Sequence, residues 1–305
     1  MSLVKPITPH LWFDTQAVEA ARFYSSLFPD SRIESISTLR GTPSGDCDVV
    51  SFVLHGHPFM AISAGPYFKF NPAISFFVRF DPSRESDARA RLDRTWAALL
   101  EGGKALMPLD AYPFSPHYGW VQDRYGLSWQ LILAEPDGPP RPPIMPSLLF
   151  TGAVAGKAKE AGAYYQEVFD DSQAGQWEPH PAGSDTDPAG TTLFSDFRVG
   201  DTWFVAMDSG YPHGFAFNEA VSFLVPCRDQ AEIDRYWTAL SHVPAAEQCG
   251  WCADRFGVSW QITPVLMDQV MSSGDQVLID RVTRAFLPMH KLDLARLEAA
   301  VRGEG

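Results

Sequence analysis

Three short patterns in this sequence hold the side chains that could do chemistry. Cys249-Gly250-Trp251-Cys252 is a Cys-x-x-Cys, the spacing of redox dithiols and of half a structural metal site. A reactive thiol of that kind needs a lowered pKa, commonly from a helix N-terminus, whereas the residues after Cys252 read as a strand. The matching stretch Tyr118-Gly119-Trp120-Val121 has no cysteine at all. His55-Gly56-His57 could put two imidazoles on one strand face, but Gly56 marks a hairpin turn, where solvated histidines are expected. The third pattern occurs twice, as Asp123-Arg124-Tyr125-Gly126-Leu127-Ser128-Trp129-Gln130 and as Asp254-Arg255-Phe256-Gly257-Val258-Ser259-Trp260-Gln261. Its glutamines can each donate and accept hydrogen bonds. A glycine-rich phosphate loop, a dinucleotide fingerprint, a zinc-protease helix and a nucleophile elbow are all missing.

The elements that must position these residues are themselves duplicated. Pro9-His10-Leu11-Trp12-Phe13 is matched by Pro146-Ser147-Leu148-Leu149-Phe150, and the Phe23-Tyr24 pair of the first helical stretch by Tyr164-Tyr165. Phe70-Asn71-Pro72-Ala73-Ile74-Ser75-Phe76 is matched by Phe217-Asn218-Glu219-Ala220-Val221-Ser222-Phe223. Four landmarks recurring in one order mean duplication. Periodicity predicts strands over 8–13, 31–39, 48–54 and 58–63 around a helix at 16–28. A second strand–helix–strand run follows over 73–80, 86–101, 117–122 and 127–133, so each copy reads as βαβββ written twice. The copies span 1–135 and 144–264 and are separated by the proline-rich linker 136–143, expected to be an extended spacer. The segment 265–305 carries apolar residues at helical spacing interrupted at Pro288, and is expected to pack across the two domains.

Strand alternation sorts the faces. His10 shares a face with Trp12, Ala73 with Ser75, and Ser128 with Gln130, while Trp129 points to the helical side. The repeat adds Ser147, Ser222, Ser259 and Gln261. These ten residues are the expected lining of a ligand pocket, and Trp120, Trp129, Trp251 and Trp260 are expected in the core or in a pocket wall.

Composition narrows the function classes. The 305 residues are 45% hydrophobic and 20% charged, which suits globular domains. A formal charge of −13 without a dense basic patch argues against nucleic acid. No apolar run is long enough for a membrane span and no signal peptide opens the chain, so a cytoplasmic location is expected. Four cysteines suit a reducing compartment.

The alternation of elements, the Phe23-Tyr24 pair and the Gly119-Trp120-x-x-Asp123-x-x-Gly126-x-Ser128-Trp129-Gln130 motif together resemble the vicinal oxygen chelate superfamily, which includes glyoxalase I and bleomycin-resistance proteins. Within it the sequence looks most like the PhnB-like branch described as a 3-demethylubiquinone-9 3-methyltransferase domain. That resemblance implies an α+β fold of two tandem domains, each made of paired βαβββ modules forming a curved mixed sheet. It also implies a pseudo-dimer within one chain, with a homodimer through the C-terminal helices as the alternative.

Catalytic members of the superfamily hold a divalent metal between His and carboxylate ligands. Carried over residue by residue, the opening-strand ligand falls on His10 and on Ser147, the middle-strand His on Ala73 and Ala220, and the closing carboxylate on Gln130 and Gln261. Copy one keeps His10 and Gln130, copy two only Gln261, so no cofactor is expected; a metal at His10 and Gln130 is the alternative. The expected function is binding of a small aromatic or apolar molecule, with no catalytic residue assigned. The alternatives are a metal-dependent lyase, isomerase or dioxygenase, and a quinone-related methyltransferase. The last lacks the doubly wound sheet that would hold S-adenosylmethionine.

Overall fold

The computed structural model describes residues 5–136, 138–183 and 186–304. Asp137 of the linker and Gly305 of the C-terminal segment lie outside them. The chain is built as four modules followed by three helices. The first comprises β1 (Thr8–Phe13), α1 (Ala17–Leu27), β2 (Arg32–Thr42), β3 (Gly45–Leu54) and β4 (His57–Ser63). The second comprises β5 (Ile74–Phe80), α2 (Ala88–Leu100), β6 (Lys104–Tyr112), β7 (Ser115–Gln122) and β8 (Ser128–Leu133). The third comprises β9 (Ile144–Phe150), α3 (Ala158–Val168), β10 (Ser172–Pro179), β11 (Thr192–Val199) and β12 (Thr202–Asp208). The fourth is shorter: β13 (Val221–Cys227), α4 (Gln230–Leu240), β14 (Trp251–Ala253) and β15 (Ser259–Pro264). Then come α5 (Val265–Ser272), α6 (Gln276–Phe286) and α7 (Leu294–Arg302).

Two compact units result, one containing residues 1–69 and 217–305 and the other residues 70–216. Unit 1 has the strand order β14-β15-β13-β1-β4-β3-β2, and unit 2 has β10-β11-β12-β9-β5-β8-β7-β6. Repeats and compact units therefore do not coincide. Each sheet joins a module of one copy to a module of the other through a central antiparallel pair, β1 with β13 and β9 with β5. The equivalence is close: His10 lies opposite Ser222, and Ser147 opposite Ser75. Because β5 and β13 carry the same Ala-[Ile/Val]-Ser-Phe pattern, either could have served β1, and the expectation that each copy forms its own curved sheet is replaced by this exchange. The proline-rich linker is correspondingly no unit boundary. It packs on unit 2, where Arg79 N–H donates to Pro143 O (2.8 Å) and the Arg79 guanidinium to Pro139 O (3.3 Å).

Strand β6 has no counterpart among the predicted strands. It is an edge strand with Pro108, repeated register shifts and mostly exposed side chains, so the two-residue alternation that betrays a half-buried strand is missing. In the fourth module the corresponding stretch forms only a turn at Pro244–Ala246, which leaves unit 1 one strand short.

The helices of the modules lie on one face of each sheet. In unit 1, α1 sets Ala17, Ala20 and Ala21, whose small side chains let helix and sheet approach closely, against β3 and β4 together with the buried Tyr24 ring. The opposite face is covered by α5 and α6. There Val270, Met271, Ile279, Val282 and Phe286 pack with Leu39, Cys47 and Val49 into one buried cluster. The C-terminal segment thus joins strands from both copies, β2 and β15, inside a single unit.

The twice-written closing motif is a buried turn. Asp123 Oδ1 accepts from the amides of Tyr125 (2.9 Å) and Leu127 (3.0 Å), and Oδ2 from Trp129 Nε1 (2.9 Å). Asp254 repeats this with Phe256 (2.8 Å), Val258 (3.1 Å) and Trp260 Nε1 (2.9 Å). Gly126 and Gly257 have φ of +90° and +88°, a conformation that disfavours any Cβ. Replacing Asp254 with Ala strands three buried N–H donors, so we expect Asp254→Ala to lower unfolding free energy by roughly 2–4 kcal/mol in denaturant melts. An Asp254→Ala protein as stable as the parent contradicts this account.

Candidate functional site

Trp129 and Trp260 are pinned to the helical side by their aspartates, so the next residue on each closing strand must face the other way. Gln130 and Gln261 therefore point to the inner faces, and what surrounds them differs between the units.

In unit 1, Gln261 Nε2 donates to Ser222 Oγ (2.9 Å), and Ser222 lies directly across from His10 in the β1–β13 ladder. No side chain among the described residues is hydrogen-bonded to Gln261 Oε1. His10 is only 5% exposed and sits edge-on to the Trp251 ring, 5.4 Å between centroids. Its Nδ1 is buried without a hydrogen-bond partner among the described residues. Burial lowers the His10 pKa from 6.5 to about 4, so the imidazole is neutral at physiological pH. A base so weak is poorly matched to proton abstraction near pH 7.

His10 and Gln261 both open into a cavity of about 440 Å³, within the usual size range of small-molecule sites. Its walls are β-sheet residues such as Trp12, Met60 and Ile62, together with Met271, Phe286 and Leu292 from the C-terminal segment. Trp12 is held by its indole N–H on Gly65 O (2.8 Å) and meets Trp251 nearly perpendicularly at 5.9 Å. The charged residues of the wall are Glu219 and Asp268, and Asp268 is paired with Lys5 (2.7 Å). No lysine or arginine is among the lining residues.

In unit 2 the equivalent centre is closed. Gln130 Oε1 accepts from the Tyr118 hydroxyl (2.7 Å), and its Nε2 donates to Ser75 Oγ (2.8 Å) and Ser147 Oγ (3.4 Å). Phe77, Tyr118, Met145 and Val205 pack over it. Farther along this face Arg141 stacks on Trp203, 3.7 Å from the ring centre, and pairs with Asp196 through two bonds of 2.6 and 3.1 Å.

The ten expected pocket residues are thus divided. His10, Trp12 and Gln261 line the unit 1 cavity, with Ser222 behind Gln261 and Ser259 beside Ser222 in the ladder. Ser75, Gln130 and Ser147 form the closed unit 2 centre, Ser128 Oγ accepts from Trp120 Nε1 (2.7 Å), and Ala73 is buried just ahead of β5. Cys47, Met60, Ile62 and the C-terminal wall were not anticipated. The helical spacing of 265–305 was visible, but spacing does not say which face a helix covers.

His10 and Gln130, the alternative pair of metal ligands, belong to different compact units. A catalytic divalent ion needs several His or carboxylate donors. Beside His10 stands the Gln261 amide, in unit 2 the amide and serine oxygens already bond one another, and no three His, Cys, Asp or Glu side chains gather among the described residues. The donor set does not fit such an ion. The Cys-x-x-Cys fares no better as a redox pair: burial pushes both thiols up, and Cys249 Sγ donates to Leu287 O (3.2 Å). His55 and Gly56 form the turn of the β3–β4 hairpin, with φ of +50° and +80°, whereas His57, expected to be solvated, buries its Nε2 at the start of β4.

Paired βαβββ-type modules with helices on one sheet face and a pocket on the other define the vicinal oxygen chelate class. Within it the chain belongs to the 3-demethylubiquinone-9 3-methyltransferase family, which matches residues 5–132 and 142–263. A PhnB protein from Bacillus cereus is 38% identical, covering 43% of this chain and 100% of its own, with a TM-score of 0.38. A glyoxalase I variant from Zea mays is similar in fold, with 10% identity, 84% of this chain and 92% of its own covered, and a TM-score of 0.51. A candidate dioxygenase from Bacillus subtilis covers 97% of this chain and 95% of its own at 12% identity and a TM-score of 0.50. No curated protein matches. Among the described residues no helix is long and apolar enough to cross a membrane.

The neutral His10 has a consequence for stability. The unfolded chain takes up the imidazole proton first, so the stability linked to this residue is intact above pH 6.5, falls as pH drops toward 4, and then levels off. The loss is of the order of 3 kcal/mol. His57 is shifted in the same way, so His10→Gln should reduce the slope over that range by about half in denaturant titrations; an unchanged slope would show that His10 is not buried neutral.

Proposed function

We propose that the protein is a binding protein, holding one small, largely apolar and aromatic molecule in the unit 1 cavity without a metal. The observation that carries this reading is an apolar cavity of about 440 Å³ lined by Trp12 and Trp251, with the neutral His10 and the Gln261 amide among its polar residues. The aromatic rings of Trp12 and Trp251 offer flat walls, and His10 and Gln261 the few polar anchors such pockets use. The weak basicity of His10 favours binding over acid–base catalysis, and the family description, a methyltransferase of a demethylated ubiquinone, agrees with an aromatic occupant better than with the reaction it names.

Because Trp12 and Trp251 line the cavity, a bound aromatic should quench tryptophan fluorescence saturably at one site per chain. Ile62→Trp, which fills the cavity from β4, should abolish saturable binding measured by calorimetry. A panel of small aromatics without any saturable response would overturn the reading. Protein purified without chelator should contain no stoichiometric divalent ion, and one tight ion per chain that is lost in His10→Ala would refute the metal-free part.

A further inference from the structure

Unit 2 contains, within its own chain, an occupant for the centre that unit 1 leaves open. The Tyr118 hydroxyl donates to Gln130 Oε1 at 2.7 Å, and burial pushes this phenol's pKa up, so it stays protonated and a donor. In the repeat, Gln261 stands for Gln130, Ser222 for Ser75, Trp251 for Trp120, and Cys249 for Tyr118. Gln261 keeps the amide bond to its serine, just as Gln130 does (2.9 and 2.8 Å). The phenol is what is missing.

The backbone explains the gap. Where β7 runs on through Tyr118, the chain of unit 1 leaves the ladder, with Cys249 at φ +54° and Gly250 at +88°. Their amides donate to Met289 O and His290 O (both 2.7 Å), and the Cys249 thiol turns to Leu287 O. The side chain that would fill the space over Gln261 is thus small and tied elsewhere, and both Cys249 and Gln261 line the cavity.

We infer that the occupant of unit 1 is a neutral phenol or similar hydroxylated arene, whose hydroxyl donates to Gln261 Oε1 as Tyr118 does to Gln130. The inference rests on the binding function proposed above and names its ligand class. The committed Nε2–Ser222 bond presents the amide oxygen as the open group of Gln261, an acceptor that a hydroxyl suits and an ether does not. His10, across the ladder from Ser222, lines the same cavity as Gln261. An anion is disfavoured, because the charged lining residues are acidic and the imidazole is neutral.

Binding of naphthalene, 2-naphthol, 2-methoxynaphthalene and 2-naphthoate to the full chain at pH 7, followed by calorimetry and tryptophan quenching, tests this. One hydrogen bond made in place of an unpaired acceptor should favour 2-naphthol over naphthalene and over the methyl ether by about tenfold, with 2-naphthoate weakest. Gln261→Leu should erase the naphthol advantage while leaving naphthalene binding in place, which also reports that the variant is folded. Equal affinity of the parent for naphthol and naphthalene would overturn the phenol assignment while leaving the cavity's binding role standing. No binding by any of the four would remove the binding role and this inference together, and the parent series decides even if the variant misfolds.

Discussion

A buried carboxylate that closes a turn governs how both sheets present their inner faces. Asp123 and Asp254 each accept two backbone amides and an indole N–H, and the glycine two residues before the serine allows the turn to be that tight. Pinning the tryptophan to the helical face leaves its neighbour no choice but the other face, so a glutamine amide stands at the middle of each cup. The motif is therefore architectural in its first seven residues and chemical only in its last.

From that common start the two units diverge through what covers the glutamine. Unit 2 has the longer β6–β7 hairpin, which brings Tyr118 over Gln130 and satisfies the amide internally. Unit 1 has lost the edge strand and is covered by α5 to α7 instead. Helices bridging a curved sheet touch it along its rim and span its middle, and the space beneath them is the cavity. Unit 2 thus carries a filled, self-bonded face and unit 1 an open cavity, although each unit is built from modules of both copies.

The energetics of His10 support the same division. Leaving His10 Nδ1 buried without a partner among the described residues costs free energy, as it does for His57 Nε2. Its counterpart Ser147 carries no such cost, since its hydroxyl accepts from Gln130.

Much of this was readable along the chain. The duplication, the α+β modules, the inward placement of His10 and Gln261 and the helical side of Trp129 follow from two-residue alternation and repeated motifs, because a strand's faces are set by local geometry alone. Partner choice is different. Strands β5 and β13 present nearly the same edge, so nothing local distinguishes a copy that closes on itself from one that exchanges modules, and His10 could be paired on paper with Gln130 although it packs beside Gln261. The short fourth module and the C-terminal helices packed against β2 and β15 accompany the exchanged arrangement, and only long-range packing could select it. The residues that can do chemistry were thus written locally, whereas which of them meet, and over what empty space, was settled by burial of apolar surface between segments more than two hundred residues apart.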